Sequence, residues 1–267
     1  IYAGLALTSY YLEEQTAGFL RISPVGIYMA ERSYHRDAKE IRLAGMIHIG
    51  KAEYYEDLAG SLSAEATIIL TEGVTDRQHL LEHNFNYSKL AGVIGLSSQD
   101  KMQIDGNLVD LDESSQVTRG TGGKPDIAWA DIDLSRFDPQ TVEFLNAIGS
   151  TLFSGKPLLE ALAEYSAWAN ENMTPERVAV VMADIIDKRN ESVIASLSKT
   201  LQHYDTIIIP WGAMHMPDIE AAILDQGFKQ GEKKERMSLD FRTLPYRELW
   251  QKWSAHADAV RAPASST

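Results

Sequence analysis

The chain has 267 residues, a length typical of one large domain or two small ones. Of these residues 44% are apolar and 24% are charged, a composition typical of a folded chain. Its formal net charge of −13 repels nucleic-acid phosphates, so we expect no nucleic acid among its partners. Cysteine is absent, which excludes disulfides, iron–sulfur clusters, thiolate zinc sites and cysteine nucleophiles and leaves His, Asp, Glu and water as ligands for any metal ion.

The first 19 residues form an apolar N-terminal segment that begins with Ile1 rather than Met. Its apolar run from Ile1 to Leu12 is too short to span a bilayer. The run is consistent with the end of a removed leader or membrane anchor, and equally with an ordinary helix on the surface of the domain. We favour a membrane-anchored or extracytoplasmic location with membrane association through this segment, and a cytoplasmic location stays open.

Three short apolar runs predict buried strands. The first, Ile41–Ile49, precedes a predicted helix over Lys51–Leu62. The second, Ala66–Thr71, and the third, Thr206–Trp211, are rich in β-branched residues, as is typical of central strands that are buried on both faces.

Helices and a final strand are predicted along the rest of the chain, while residues 97–133 are less regular and contain a turn at 119–125. Alternating strands and helices predict a single α/β domain over residues 20–256, in which helices flank a central mixed β-sheet. Residues 257–267 are small and polar and are predicted to form a disordered tail. The predicted helices cover Asp76–His83, Pro139–Phe153, Pro157–Asn170, Thr174 to about Tyr204 and Pro217–Gln226, and the final strand or hairpin covers Lys234–Leu244.

Two motifs of the same form lie at the ends of two of the predicted strands. Gly45-Met-Ile-His48 closes the first strand and Gly212-Ala-Met-His215 ends the last core strand, while Glu72 follows the strand between them. In open α/β sheets, ligands bind beyond the carboxyl ends of the strands. If these strands are neighbours, two imidazoles and a carboxylate meet there, which is a common ligand set for a catalytic divalent ion. Taken singly, each His is also explained as a hydrogen-bonded structural residue, and the Glu as a solvated one.

The motifs, in their order along the chain, resemble those of the TraB/GumN/Tiki family. The resemblance rests on the first GxxH motif, on Leu70-Thr-Glu72-Gly73 at a strand end, on Arg189-Asn190 in a long helix, and on the second GxxH motif before Met216-Pro217. The segment from Trp129 to Phe137, with its Ala-Asp pair, is similar to the middle segment of the family. The similarity extends from about residue 42 to residue 228.

The resemblance implies an α/β fold shared with erythromycin-esterase-like and ChaN-like proteins, and an activity like that of the membrane-associated, metal-dependent Tiki peptidases. It implies a peptide or protein substrate, since TraB-type bacterial members are linked to shutting down peptide pheromone signals. It makes His48, Glu72 and His215 the ligands of a divalent ion such as Mn, Co or Zn. It further makes Arg189 a clamp for an oxyanion or carboxylate and Asn190 an orienting hydrogen-bond partner. One departure is the first motif, where Met replaces the family's usual Thr and removes a hydroxyl.

Three alternatives stay open from the sequence. Glu72 could act as a general base, with a metal site made only of His residues or with no metal at all. The chain could instead bind and sequester a peptide or haem without cleaving it, with an apolar rim formed by Met46, Met214 and Met216. Finally, His79-Leu-Leu-Glu-His83 matches the HxxEH pattern of inverted zinc peptidases, with Glu82 as base, but it is equally typical of an exposed helix.

Overall fold

The computed structural model describes residues 2–62, 67–83, 91, 96–99, 102–111, 123–152, 158–247 and 251. The predicted α/β class is confirmed, because helices flank a central mixed sheet of eight strands. The predicted turn at 119–125 lies largely outside the described residues, and the predicted tail at 257–267 lies wholly outside them.

The described part of the chain contains ten strands and seven α-helices. The strands are β1 Leu20–Ser23, β2 Gly26–Arg36, β3 Lys39–Met46, β4 Ile49–Gly50, β5 Thr67–Thr71, β6 Ser97–Ser98, β7 Asn107–Val109, β8 Asp126–Trp129, β9 Thr206–Gly212 and β10 Lys229–Asp240. The helices are α1 Tyr2–Gln15, α2 Ala52–Leu62, α3 Pro139–Leu152, α4 Leu158–Asn172, α5 Pro175–Met182, α6 Lys188–Thr200 and α7 Met216–Asp225, with a π-helical turn at Ala183–Asp187 between α5 and α6.

The order of the strands brings the three predicted strand ends to one edge of the sheet. The order is β1-β2-β3-β9-β5-β8-β7, with β10 also paired to β2. Strands β3, β9, β5, β8 and β7 are parallel to one another, whereas β2 pairs antiparallel with β1, β3 and β10. Because β9 lies between β3 and β5, the carboxyl ends that precede His48, His215 and Glu72 are adjacent, which is the condition that the sequence argument for a shared site requires.

The pairing of β9 with β5 ends before either strand does. Their backbones pair from Thr206 to Ile208, and Pro210, which has no N–H to donate, follows two residues later. Beyond this point the indole Nε1 of Trp211 donates a hydrogen bond to the carbonyl of Leu70 over 2.9 Å. The two strands therefore separate at their carboxyl ends, and Pro210 lines the pocket that opens there.

The antiparallel part of the sheet went largely unpredicted from the sequence. Its charged residues hide the apolar pattern: Glu31 in β2 is buried, but it forms ion pairs with Arg42 and Arg236. The predicted last strand starts too late, since β10 begins at Lys229 and its first seven residues are exposed. A strand that carries so many charges gives little signal when it is judged by hydrophobic alternation.

The predicted helix over Asp76–His83 is wrong. The chain forms turns there, and both carboxylate oxygens of Asp76 accept backbone hydrogen bonds, from Leu80 over 2.7 Å and from Leu81 over 2.9 Å. His79 has a φ of 55°, in the left-handed region that interrupts a right-handed helix. The Asp expected to cap a helix thus caps a turn instead.

The N-terminal segment packs against the domain. Helix α1 is followed by Phe19, which belongs to the main core, and the hydroxyl of Ser9 donates to the carbonyl of Ile22 over 3.0 Å. None of the helices in the described part of the chain combines the length and the apolar character needed to cross a bilayer.

The first prediction concerns the central strands. Leu70 in β5 has 0% of its surface exposed, so we expect Leu70→Ala to lower the free energy of unfolding by about 3 kcal/mol through lost burial and the cavity left behind. The matched control is Leu224→Ala in α7, because Leu224 is 44% exposed and its truncation should cost about 0.5 kcal/mol or less. Urea denaturation of both variants measures the two losses in the free energy of unfolding, and equal losses would contradict the burial of Leu70.

Candidate functional site

Glu72 is fixed at the carboxyl end of β5 by two hydrogen bonds, one to each carboxylate oxygen. Its Oε1 accepts from Nη2 of Arg189 over 2.8 Å, and its Oε2 accepts from the backbone N–H of Gly212 over 2.7 Å. The side chain is only 5% exposed. A carboxylate held in this way keeps one orientation, because both oxygens have partners on other segments of the chain.

Arg189 bridges Glu72 to a second carboxylate, that of Asp131, which follows β8. Asp131 accepts from Nε of Arg189 over 3.0 Å and from Nη2 over 2.7 Å, and it also accepts from the backbone N–H of Gly73 over 2.8 Å. Burial acts to lower the pKa of Arg189, but the hydrogen bond to Asp131 and the charge of Glu72 outweigh burial and raise that pKa. The guanidinium therefore stays charged between two carboxylates, and the three groups carry a net charge of −1.

Asn190 fixes the orientation and the tautomer of His215. Its Nδ2 donates to the carboxylate of Asp218 over 2.8 Å, and a carboxylate can only accept. The Oδ1 of Asn190 therefore faces Nδ1 of His215, 2.8 Å away, so Nδ1 carries the proton and donates. The unprotonated Nε2 of His215 lies 3.7 Å from Oε1 of Glu72, which is too long for a hydrogen bond.

His215 is neutral at pH 7. Burial lowers its pKa to about 4, and the positive charge of Arg189 acts in the same direction. Its ring also packs edge-on against the ring of Trp211, with 5.2 Å between the two centroids. The imidazole is therefore held as a neutral group with its lone pair on Nε2, the form that serves as a proton acceptor or a metal ligand.

His48 approaches this network from the neighbouring strand. It follows β3 by two residues, it is exposed, and its Nδ1 lies 3.0 Å from Oε1 of Gln99. Together with burial and Arg189 it acts to lower the pKa of His215, and it lines the same pocket as Glu72. The structure thus groups Glu72, Arg189, Asn190 and His215 and places His48 in the lining of the adjoining pocket.

The pocket beside Glu72 has a volume of about 810 Å³. Charged and polar side chains contribute to its lining, but the majority of the lining residues are apolar. The lining residues are Met46, His48, Thr71, Glu72, Gly73, Val74, Thr75, Asp76, Leu81, Gln99, Met102, Ile104, Leu134, Phe137, Leu145, Ile185, Arg189 and Pro210. This combination is common in small-molecule and peptide sites, where apolar walls bind the ligand and a few polar groups orient it.

The π-helical turn at Ala183–Asp187 directly precedes the two site residues on α6. Within it, the buried Asp184 accepts from the backbone N–H of Asp138 over 2.7 Å and forms an ion pair with Lys188. Ile185 and Arg189, one turn apart, both line the pocket. Short π-helical turns inside α-helices are frequent at functional sites, because they change which residues a helix presents to a neighbour.

Two of the alternative groups do not form as predicted. His79, Glu82 and His83 are exposed on a segment of turns, so the helical HxxEH arrangement is wrong. In the proposed methionine rim, Met216 is fully buried in the core and Met214 is exposed away from the pocket lining. Met46 does line the pocket, together with Met102, which the sequence did not suggest.

Asp131, Asp218 and Gln99 were not predicted as site residues. Asp131 follows a short apolar run, so the rule that found Glu72 at a strand end could also have found it. Asp218 and Gln99 carry no comparable signal, because their contacts to Asn190 and His48 join segments far apart in the sequence.

A divalent ion requires deprotonated donors that lie close together. His215 offers Nε2 in the neutral form that a metal needs, and the carboxylate of Glu72 adjoins it at 3.7 Å. Within the described ranges, no three His, Asp or Glu side chains are grouped closely enough to hold an ion. The pair of His215 and Glu72 therefore offers donors of the right type but not a complete ligand set, and His48, which lines the pocket beside Glu72, is the third donor that the sequence predicts.

Comparison of the chain with models of protein families, with curated proteins and with solved structures finds no match. The resemblance to the TraB/GumN/Tiki family therefore rests on the short motifs alone, and the activity that it implies is a proposal.

The second prediction concerns the pH dependence of stability. The pKa of His215 is about 4 in the folded chain and about 6.5 when the chain is unfolded, so the unfolded state binds more protons between these values. We expect His215 to contribute about 3 kcal/mol at pH 7, a contribution that is lost as the pH falls from 6.5 through 4. Urea denaturation of the native chain and of His215→Gln at pH 7, 6, 5 and 4 checks this. Equal pH slopes for the two proteins would contradict it.

The third prediction concerns the ion network. Asp131 is fully buried and binds Arg189, so we expect Asp131→Asn to lower the free energy of unfolding by about 3 kcal/mol, because one partner of a buried ion pair is removed. Asp105→Asn is the matched control, since Asp105 pairs with Lys124 on the surface with 78% of its side chain exposed. Removal of that surface pair should cost about 0.5 kcal/mol. Thermal and urea denaturation measure both losses.

Proposed function

We propose that this chain is a hydrolase of the TraB/GumN/Tiki type that cleaves peptides with the help of a divalent metal ion. One observation carries the proposal: Glu72 bonded to Arg189, and His215 bonded to Asn190, come from three separate segments and adjoin each other at 3.7 Å beside a pocket that Glu72 and Arg189 line. An ordinary structural ion pair does not need a neutral imidazole of fixed tautomer beside it.

The ion would be held by His215 and Glu72, with His48 as a third donor. When bound, it would polarise the carbonyl of the scissile bond and make water more acidic. Arg189 provides a fixed positive charge for the oxyanion that develops on that carbonyl, since Asp131 holds the guanidinium in place. Asn190 keeps the lone pair of His215 on Nε2.

Glu72 has two roles open to it, as a ligand of the ion or as the base that takes a proton from the attacking water. Each oxygen accepts one hydrogen bond, from Arg189 or from Gly212, and keeps a second lone pair that either role could use. In the base role the proton passes from water to Glu72 and then to the leaving amine, so the carboxylate is regenerated. The metal affinity of Glu72→Gln separates the two roles. It should fall if Glu72 is a ligand of the ion and stay unchanged if Glu72 is only the base.

A second candidate function is the binding of a peptide or haem without cleavage. The apolar walls of the pocket, which include Met46 and Met102, favour this candidate. It differs from hydrolysis in one measurable way, because it predicts bound ligand and no products.

The fourth prediction tests the hydrolase proposal on the full chain. A mixture of capped peptides is incubated with the protein after treatment with a chelator, with and without Mn, Co or Zn, and the products are followed by mass spectrometry. We expect cleavage that depends on the added ion and that falls by about a hundredfold or more in Glu72→Gln and in the double variant His48→Ala, His215→Ala. Retained cleavage in the double variant would end the proposal.

The matched control replaces a histidine outside the pocket. His83→Ala should cleave at the rate of the native chain, since His83 is exposed and does not line the pocket. A loss of activity and of bound metal in His83→Ala, without a loss in His215→Ala, would move the site to residues 79–83. Binding of peptide or haem without products would select the sequestering function.

A further inference from the structure

The pocket beside Glu72 lies between two separate apolar clusters. Met46 belongs to the main core, and Met102 and Ile104 pack against that core. Leu134 and Phe137 belong instead to a second cluster, with Ile132, against which Val74, Leu81 and Leu145 pack. Both clusters therefore contribute apolar side chains to the lining of the pocket.

The polar groups in the pocket walls are largely occupied by other partners. Both oxygens of Asp76 accept from backbone N–H groups, and the hydroxyl of Thr75 donates to Asp133 over 2.6 Å. Gln99 is bonded to His48. An occupant of the walls therefore gains little by offering hydrogen bonds there and gains most by burying apolar surface.

The charged groups that line the pocket already have partners. Arg189 donates to Glu72 and Asp131, and both oxygens of Asp76 accept backbone hydrogen bonds. A carboxylate side chain of a substrate would therefore lose its hydration among the apolar walls without gaining a partner there. An uncharged apolar side chain would not.

From the walls and the charges we infer that the pocket binds a large aliphatic or aromatic side chain of the substrate, next to the bond that lies at Glu72 and Arg189. This inference deepens the proposed function and rests on it, because the reacting bond is assigned by that proposal. Ile185 links the two parts of the site, since it lines the pocket one helical turn before Arg189. Residues that line the apolar part therefore determine which peptides are bound.

The fifth prediction uses capped peptides that differ at one position, where they carry Leu, Ala, Ser, Asp or Lys. Binding is measured by fluorescence anisotropy of labelled peptides, and cleavage is measured in the same samples by mass spectrometry. We expect the Leu peptide to bind about tenfold to a hundredfold more tightly than the Ser peptide, because a fully buried Leu side chain gains that much. We expect the Asp peptide to bind most weakly.

A variant that fills the pocket tests its location. Leu145→Trp should weaken binding of the Leu peptide at least about tenfold and leave binding of the Ala peptide unchanged, because only the larger side chain needs the lost volume. Leu224→Trp is the matched control, since Leu224 is exposed and lies outside the pocket lining, and it should change neither peptide. If Leu145→Trp does not fold, as judged by circular dichroism, Met102→Gln makes the wall polar and should weaken the Leu peptide alone.

The two readouts separate failure of this inference from failure of the proposed function. Cleavage without a preference for Leu, or a preference for Asp or Lys, overturns the inference and leaves the hydrolase in place. Binding with the Leu preference but without any cleavage supports the pocket assignment and rejects the hydrolase. A Leu preference that survives in both Leu145→Trp and Met102→Gln overturns the location of the pocket.

Discussion

The arrangement of the candidate site depends on one guanidinium between two buried carboxylates. Arg189 bonds to Asp131 through two nitrogens and to Glu72 through one, and these two acids follow neighbouring parallel strands. Without a cation between them, two carboxylates buried this close would repel each other. Burial keeps His215 uncharged, and the same guanidinium acts in that direction.

The early end of the β5 and β9 pairing supplies the space that this group occupies. Ladder hydrogen bonds hold the strands together as far as Ile208, and beyond it the contacts between the strands are made by Trp211 to Leu70 and by Gly212 to Glu72. Backbone donors that would otherwise complete a ladder are thereby available to a side-chain carboxylate. The opening at a strand end and the orientation of Glu72 therefore have one common cause.

The sequence predicts the parallel part of the fold well, because those strands are buried on both faces and appear as continuous apolar runs such as Thr206–Trp211. It predicts poorly wherever charge is buried in pairs, as in β2 with Glu31, since hydrophobic pattern cannot register an ion pair formed across distant segments. The same reason explains why Asp218 was missed. Strand ends identify which side chains reach this edge of the sheet, but they do not show which partner each side chain binds. His48, for example, lies 3.0 Å from Gln99, a residue that has no signal in the sequence.

The π-helical turn at Ala183–Asp187 also explains why the pattern of this helix is hard to follow in the sequence. Each residue of an α-helix advances by about 100° around the axis, and a π-helical turn accommodates one residue more than a regular turn. Residues on α5 and α6 therefore share a face at sequence spacings one residue longer than in an uninterrupted α-helix. Extension of the apolar periodicity of α5 through the turn consequently points to the wrong face of α6, and the face that carries Arg189 becomes apparent only when the extra residue is counted.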